Sequence, residues 1–152
     1  MDYKKRESET KRIMQRFKPF FKVEKGIRRT LMGFGFECDM GWFPILEKLF
    51  EDIQKLNPPE EFEIIQVKEK FGGLRVYANY SSDEIEKLID EACEKASKTC
   101  EVCGKEAVLC TNKGWLKTVC PECIASGDEM LQRYKPCKDE EDEDGTDSKE
   151  EK

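Results

Sequence analysis

Hydrophobic residues recur at helical spacing in two segments of the chain, and the first of these lies between residues 42 and 56. Residues three or four positions apart share one face of a helix, and an apolar face predicts packing against a core. We predict a helix that starts near Trp42, with Asp39 as its N-cap, and ends at the Asn-Pro-Pro-Glu run at 57–60. Its predicted buried face comprises Trp42, Ile45, Leu46, Leu49, Phe50, Ile53 and Leu56.

The second helical segment follows residue 81. The stretch "SSDEIEKLIDEACEKASK" opens with Ser81 and Glu84 at the spacing of a capping box, in which each side chain caps the other residue's backbone N–H. Because the apolar residues that follow again share one face, we predict a second amphipathic helix here. That face comprises Ile85, Leu88, Ile89, Ala92, Cys93 and Ala96.

Two strands are predicted between these helices. Residues 62–68 and 74–80 are rich in β-branched and aromatic side chains, and the second run alternates between apolar and polar positions. Gly72 and Gly73 lie between the runs and favour a hairpin whose turn spans residues 69–73.

The N-terminal part of the chain has weaker patterns. Residues 2–18 tolerate a helix with Ile13 and Phe17 in a narrow apolar stripe, and Pro19 disfavours helix beyond that point. Residues 33–41 contain spaced glycines and are expected to form a loop. The order helix, hairpin, helix and cysteine-rich segment predicts an α+β fold, with helices packed on a small hairpin or sheet.

Four of the eight cysteines form two Cys-x2-Cys pairs that are sixteen residues apart, Cys100 with Cys103 and Cys120 with Cys123. Four thiolates on two tight turns can meet about 2.3 Å from a tetrahedral Zn²⁺, and Gly104 allows the chain to turn beneath it. The segments "AVLC" and "WLKTVC" have strand composition, and "TNKG" would turn between them. The pattern therefore predicts a zinc ribbon with one structural Zn²⁺, whose four positions are all filled by protein.

Other uses of these cysteines fit the spacing less well. A thioredoxin-like redox pair needs one such motif in a βαβ setting, and the paired turns favour zinc over an iron–sulfur cluster. Cys110 has no Cys-x2-Cys partner and Cys93 lies on an apolar helix face, so both are expected in the core. Cys38 and Cys137 receive no assignment.

Charge is distributed unevenly along the chain. Residues 1–30 carry eleven Lys/Arg and four acidic residues, a net +7, whereas residues 138–152 carry three Lys and nine acidic residues, a net −6. A like-charged tail without apolar residues cannot offset the entropy cost of ordering. We therefore divide the chain into a basic N-terminal extension (1–30), an α+β domain (31–98), a zinc ribbon with a short C-terminal helix (99–137) and a disordered acidic tail (138–152).

The sequence also carries an expectation about location. No run approaches the roughly 18 to 20 apolar residues that span a bilayer, and the N-terminus lacks the apolar centre of a signal peptide. We expect a protein of a bacterial host's reducing cytoplasm with no membrane partner. Disulfides rarely persist in that compartment, which strengthens the metal reading of the cysteines.

Three stretches together resemble one known family. They are "ECDMGW" (37–42), "IQVKEKFGGLRVY" (65–77) and "TCEVCG…GWLKTVCPEC" (99–123), and the resemblance covers about residues 33–125. The family consists of small zinc-ribbon proteins, functionally uncharacterised, that are encoded in bacteriophage, prophage and bacterial genomes. Its members often carry His where Cys123 stands here, a change that keeps four zinc ligands. The resemblance implies a phage-type origin and a cysteine-bound metal.

The tract "QVKEKFGGLRVY" is the strongest candidate for a ligand site. Its cations cluster around a glycine pair, where exposed backbone N–H groups could approach an anion. A phosphate-bearing ligand, or a nucleotide stacked on an aromatic ring, would suit this chemistry. The alternative is a hairpin with a glycine turn and a solvated charged face, since no phosphate-loop signature is present. The candidate residues are Lys68, Lys70, Phe71, Gly72, Gly73, Arg75 and Tyr77.

Nothing in the sequence requires catalysis. Glu37 and Asp39 could hold Mg²⁺ or act in acid–base chemistry, but capping explains Asp39 and exposure explains Glu37. The chain has no His and no nucleophile motif, so no catalytic residue is assigned. The basic N-terminus could contact nucleic acid, although the sequence pI near 5 is the reverse of a typical DNA-binding footprint.

These observations favour a phage-type binding protein over an enzyme. We expect it to modulate a host process, such as a host defence system, by binding a host protein or a small anionic ligand. A zinc-ribbon nucleic-acid-binding or transcription-related regulator is the first alternative. A metal-dependent enzyme that acts on a nucleotide is the second.

Overall fold

The structure is a computed structural model that describes residues 3–137, so the predicted acidic tail at 138–152 lies outside the described residues. Helices and two small sheets alternate along the chain, which confirms the α+β class. The helices are α1 (Tyr3–Arg16), α2 (Phe43–Lys55), α3 (Asp83–Ala96) and α4 (Pro121–Ser126). The strands are β1 (Phe36–Glu37), β2 (Glu63–Lys70), β3 (Gly73–Asn79), β4 (Val108–Asn112), β5 (Trp115–Val119) and β6 (Lys135–Pro136).

The first sheet has the strand order β1-β2-β3. Strands β2 and β3 form the predicted antiparallel hairpin, with Val67 opposite Val76 and Lys68 opposite Arg75. Strand β1 lies parallel to β2, so the prediction of a loop over residues 33–41 is wrong at Phe36 and Glu37. A strand of two residues is too short to show an alternating sequence pattern. Its pairing with β2 is decided by the tertiary structure.

Helices α2 and α3 pack in one core with this sheet and bury most of the apolar residues that the periodicity predicted. Leu56 is the exception, because it follows the end of α2 and is 39% exposed. The buried residues of α2 are Phe43, Ile45, Leu46, Leu49, Phe50 and Ile53, and those of α3 are Ile85, Ile89, Ala92 and Ala96. No helix of the described residues is long and apolar enough to cross a membrane.

Both predicted helix caps differ in the structure. Trp42 occupies the N-cap of α2, and Asp39 makes no capping hydrogen bond with its side chain. The cap of α3 is Ser82, whose hydroxyl accepts from the backbone N–H of Ile85 at 3.2 Å, so the capping box from Ser81 is displaced by one residue. Adjacent serines offer the same chemistry, and the sequence pattern could not separate them.

The N-terminal segment is part of the core, which the sequence left open. Ile13 and Phe17 are fully buried, and the Phe17 ring meets the Phe50 ring edge-on with centroids 5.7 Å apart. Phe20 and Phe21 are also buried, and Phe21 meets the same Phe50 ring. Aromatic side chains on both sides of Pro19 are therefore part of the hydrophobic core.

Ion pairs hold α1 against α2. Arg12 donates to both oxygens of Glu47 at 3.0 and 2.9 Å, and Arg16 reaches Glu47 at 2.6 Å and Glu51 at 2.7 Å. Arg29 pairs with the buried Glu63 at 2.9 Å. Several cations of the basic N-terminus thus neutralise acidic residues of this same chain.

Residues 99–137 form a second structural unit, which we call the cysteine module. Its sheet has the order β5-β4-β6, and β4 and β5 form a hairpin that turns at Lys113 and Gly114. Both turn residues have left-handed backbone conformations, with φ of 52° and 94°. Strand β6 returns to pair with β4 at Cys110, so the end of the described chain closes the module.

Candidate metal centre and ligand-binding surface

The four cysteines of the two Cys-x2-Cys pairs come together at one end of the cysteine module. Their sulfur atoms all lie within 4.8 Å of one another. The Sγ atoms of Cys100 and Cys123 are 3.8 Å apart, and those of Cys103 and Cys120 are 3.5 Å apart. Ligands at about 2.3 Å from a tetrahedral zinc ion are about 3.8 Å from one another, whereas disulfide sulfurs are about 2.05 Å apart. The arrangement can hold a metal ion and is not a pair of disulfides.

Tight backbone turns place the sulfurs. In the first turn the Cys100 N–H donates to the Lys105 carbonyl at 2.6 Å, and the Gly104 N–H donates to the Cys100 carbonyl at 2.9 Å. Gly104 has φ +89°, the left-handed conformation that its position after the first pair predicted. In the second turn Cys120 caps α4, and its sulfur accepts from the Cys123 N–H at 3.4 Å.

The electrostatic surroundings differ among these thiols. Burial raises the pKa of Cys123, and the neighbouring thiols raise it further. Burial also disfavours ionisation of Cys120, but hydrogen bonds from the Cys123 N–H and from the adjacent thiols outweigh it and lower the pKa of Cys120. Thiolate, rather than thiol, is the metal-binding form, so the hydrogen bonds that favour ionised Cys120 also favour its use as a ligand.

The remaining cysteines lie outside this cluster. Cys110 is fully buried, and its sulfur contacts the carbonyl oxygens of Val108 and Val119, which confirms it as a core residue. Cys93 is half-buried against the main core, as predicted. Cys38 belongs to the same core, and burial raises the pKa of its thiol. The backbone N–H of Cys137 donates to the Leu109 carbonyl at 2.9 Å.

The loop "ECDMGW" docks the cysteine module onto the α+β core. The Gly41 N–H donates to the Glu101 carbonyl at 2.7 Å, and the Trp42 Nε1–H donates to the Thr99 carbonyl at 2.8 Å. A Cβ on Gly41 would collide with the carbonyl oxygens of Cys100 and Glu101. Only glycine therefore allows this loop to lie against the first cysteine turn.

A buried charge network crosses the same junction. Lys117 Nζ lies 3.0 Å from a Glu101 carboxylate oxygen and 3.4 Å from an Asp39 oxygen. Arg6 approaches Asp39 at 3.8 Å from the other side. Burial raises the pKa of Glu101, although Lys117 opposes that shift. Asp39 thus links the N-terminal helix to the cysteine module, a role that its capping prediction missed.

The two carboxylates considered for Mg²⁺ have separate partners. Asp39 pairs with Lys117 and Arg6, whereas the exposed Glu37 accepts from the Gln66 side-chain amide at 3.0 Å. Neither is a member of the cysteine cluster, which is the only metal-ligand group among residues 3–137. Acid–base or magnesium chemistry gains no geometric support here.

The predicted ligand residues fall on two parts of the β2–β3 hairpin. Lys68 lies directly opposite Arg75, and Tyr77 lies opposite Gln66 two residues further along the strands. Lys70 Nζ lies 5.5 Å from the centre of the Phe71 ring. Within the described part of the chain, none of these three cations forms an ion pair; Arg75 instead donates to the Leu74 carbonyl at 3.4 Å.

The glycine pair serves the turn and the docking of the cysteine module. The Gly72 N–H donates to the Glu69 carboxylate at 2.7 Å, and its carbonyl accepts from the Thr118 hydroxyl at 2.7 Å. A Cβ on Gly72 would also collide with Leu109 of the cysteine module. The Gly72 N–H is therefore already used, and the cationic side chains, rather than bare backbone, are what the hairpin presents to an anion.

Trp115 is an exposed residue near this hairpin that the sequence did not indicate as a candidate site residue. Trp115, which was assigned only to a strand, has 74% of its surface exposed and lines a cleft with Phe71. The strand composition of its segment gave no sign of this, because exposure depends on how the two hairpins meet. An aromatic residue that directly follows a Lys-Gly turn was the one available signal.

No family model, curated protein or solved structure matches this chain.

Proposed function

We propose that the cysteine cluster holds one zinc ion with a structural role. The sulfur separations suit tetrahedral coordination by Cys100, Cys103, Cys120 and Cys123, and four protein thiolates leave no position open for water or substrate. The cysteine module has a small core of its own, so a metal would supply stability that its apolar residues cannot. The geometry of the two turns supports zinc as the ion.

We further propose that the protein is a binding module for a small phosphate-bearing ligand. The observation that carries this proposal is the row of cations Lys68, Lys70 and Arg75 on one hairpin, which have no carboxylate partner within residues 3–137. Like charges directly opposite each other destabilise an antiparallel pair. An anion bound between Lys68 and Arg75 would remove that repulsion, and a guanidinium offers a phosphate two parallel hydrogen bonds.

The use of the other cations supports this choice of site. Arg12, Arg16 and Arg29 of the basic N-terminus are engaged by acidic residues of α2 and β2, and the interior Lys117 is engaged by Asp39 and Glu101. Such pairs lower the capacity of the N-terminus to contact nucleic acid. By contrast, Lys70 and Arg75 are exposed and Lys68 is half-buried. Because these three accessible cations lie close together on one hairpin, they favour a compact anionic ligand.

The biological setting rests on the family resemblance alone. A small phage-type protein without an evident catalytic set is suited to modulating a host process, such as defence, by holding a ligand or a host protein. Mass spectrometry of proteins and heat-released small molecules recovered with the protein from host lysate would identify candidates.

The site can be tested with inorganic triphosphate as the probe, measured by isothermal titration calorimetry at about 0.05 M and 0.15 M salt. Arg75→Ala and Lys70→Glu should each weaken binding at least tenfold. Because both side chains are exposed, neither change should lower the thermal midpoint, and Arg75→Ala should raise it slightly by removing the repulsion from Lys68. Lys87→Glu is the matched control, since it makes the same charge change on the exposed face of α3. Equal losses in Lys87→Glu and Lys70→Glu, or no effect of Arg75→Ala, would contradict the proposed site.

A further inference from the structure

The two hairpins of the molecule end beside a shared cleft. It has a volume of about 570 Å³, which is the size of a small-ligand pocket. Phe71, at the turn of the first hairpin, and Trp115, beside the turn of the second, both line it. The remaining lining residues are Glu69, Lys113, Gly114, Leu116, Lys117 and Tyr134.

Neither aromatic residue is explained by packing. Phe71 is 68% exposed and Trp115 is 74% exposed, whereas the second tryptophan, Trp42, is fully buried. Among the described residues, neither the Phe71 ring nor the Trp115 ring stacks on another aromatic ring. Large apolar side chains that face solvent around a concave surface are typical of a binding site.

The position of Phe71 is also costly for the backbone. It has φ +55°, and with Gly72 at φ +82° it makes a two-residue turn with both residues in the left-handed region. Asn or Gly is the usual residue at the first position of such a turn. A phenylalanine there is neither the favoured turn residue nor a core residue, which leaves its ring available for contact with a ligand.

Charge surrounds the cleft in a way that suits one kind of ligand. Lys70 lies over the Phe71 ring, and Lys113 lies in the wall, with no ion pair to any residue in the range 3–137. Glu69 and Lys117 also line the cleft, but Glu69 accepts from the Gly72 N–H and Lys117 pairs with Glu101 and Asp39, so both charges are already engaged. The cleft is therefore suited to a flat, uncharged ring, with anionic groups outside it.

We propose that this cleft stacks the base of a free nucleotide between Phe71 and Trp115, with the nucleotide's phosphates held by Lys68, Lys70 and Arg75. The inference deepens the proposed function and depends on it for the phosphate half of the site. Lys68 and Lys70 alternate with Glu69 along β2, so the cations lie on the opposite face of the hairpin from Glu69 and the phosphates must pass round the turn at Lys70. Lys68 lies two residues, or about 7 Å, further along the strand, which a di- or triphosphate can span. Base stacking on aromatic side chains tolerates any base.

A free nucleotide fits better than a nucleic-acid strand. The chain has a net charge of −6, and the acidic Glu69 borders the cleft, so a long polyanion would be repelled beyond the few local cations. The cleft volume also matches one ligand of nucleotide size. A single-stranded oligonucleotide is accordingly the competing occupant in the test.

Tryptophan fluorescence can test the inference, because Trp115 is exposed and Trp42 is buried. ATP and UTP should quench Trp115 and protect it from iodide, whereas inorganic triphosphate should bind without either effect. By calorimetry, Phe71→Ala and Trp115→Leu should weaken ATP binding at least tenfold and change triphosphate binding less than twofold. Tyr80→Phe and Tyr80→Ala are controls, since Tyr80 is 63% exposed with φ +58° at the opposite end of β3.

The outcomes separate the two proposals. Equal affinities for ATP and triphosphate, without quenching, would overturn the base site and leave the cationic site intact. Quenching by ATP that Arg75→Ala does not weaken would overturn the cationic site and leave the cleft intact. Tighter binding of a ten-residue oligothymidylate than of UTP at about 0.15 M salt would overturn the free-nucleotide assignment. A lack of binding of every probe would overturn both proposals.

Discussion

The backbone N–H of Gly41 donates to the carbonyl oxygen of Glu101 across 2.7 Å, and this bond joins the loop before α2 to the first cysteine turn. The Glu101 side chain completes the junction, because its carboxylate accepts from the Asp39 N–H at 3.0 Å and contacts Lys117 at 3.0 Å. The residue between two metal-ligand positions therefore carries much of the docking. The cysteine cluster and the α+β core are coupled through it.

Gly41→Ala should disrupt this junction. The new Cβ would meet two backbone carbonyls, which cannot move aside as a flexible side chain can. We expect a loss of about 2 to 3 kcal/mol in the free energy of unfolding, in the range of overpacking effects. Gly33→Ala is the control, because its Cβ would meet only Val23 at an ordinary 3.8 Å. Urea denaturation of both variants measures the difference, and equal stabilities would contradict the close approach.

Zinc binding should require the four clustered cysteines. Metal analysis of the purified protein should give one zinc per chain, and Cys103→Ser or Cys120→Ser should remove it. Cys93→Ala is the control, since Cys93 lies outside the cluster. Protein that folds unchanged without zinc would contradict a structural role.

Removal of the metal should also change the environment of Trp42 in the main core. The Trp42 indole N–H donates to the Thr99 carbonyl, so release of the cysteine module by a chelator would expose Trp42 to water. We expect a red shift of its emission, measured in a Trp115→Phe background so that only Trp42 contributes. The same treatment should leave the helical circular dichroism largely in place if the α+β core persists.

Regular patterns made part of the fold predictable from the sequence. The periodicities of α2 and α3 and the Cys-x2-Cys spacing are local properties, and apart from the exposed Leu56 the structure places those residues as expected. The glycine pair correctly indicated a turn between β2 and β3, but the turn is only Phe71 and Gly72, narrower than the predicted 69–73, and Gly73 already belongs to β3. Gly72 also has a second role against the cysteine module. Local signals thus identified the elements.

Contacts between distant residues could not be predicted in the same way. Asp39 pairs with Lys117, which is 78 positions away, and this tertiary contact displaced the expected capping role. Strand β1 depends on β2, and the burial of Ile13 depends on the core that α2 provides. The candidate ligand site was split for the same reason, because the cysteine module covers Gly72 and leaves Phe71 exposed.

The burial of α1 in the core can be measured directly. Ile13→Ala should lower the free energy of unfolding by about 2 to 4 kcal/mol, since Ile13 is fully buried and its truncation leaves a cavity. Ile27→Ala is the matched control, because Ile27 is 65% exposed and should change stability by less than about 0.5 kcal/mol. Similar effects at the two positions would show that the N-terminal helix does not pack as described.

The pairing of α1 with α2 should also appear in the acid dependence of stability. Hydrogen bonds from Arg12, together with those from Arg16, lower the pKa of Glu47 from 4.5 to about 2. A carboxyl group with a depressed folded-state pKa stabilises the protein above its unfolded pKa, and this contribution is lost as the pH falls through the folded value. The window therefore runs from about pH 4.5 down to about pH 2. Because solvent screens these partly exposed arginines, we expect a contribution of about 1 kcal/mol.

Glu47→Gln isolates this contribution. The variant should be less stable than the parent at pH 7, and the difference should shrink as the pH falls from 4.5 towards 2 and as salt is raised to about 1 M. Acid-induced loss of metal affects both proteins, so it cancels in the comparison. Glu91→Gln is the control, since Glu91 is exposed and has no ion pair within the described range. A difference between parent and Glu47→Gln that stays constant over this window would show that the Arg12–Glu47 pair does not stabilise the contact between α1 and α2.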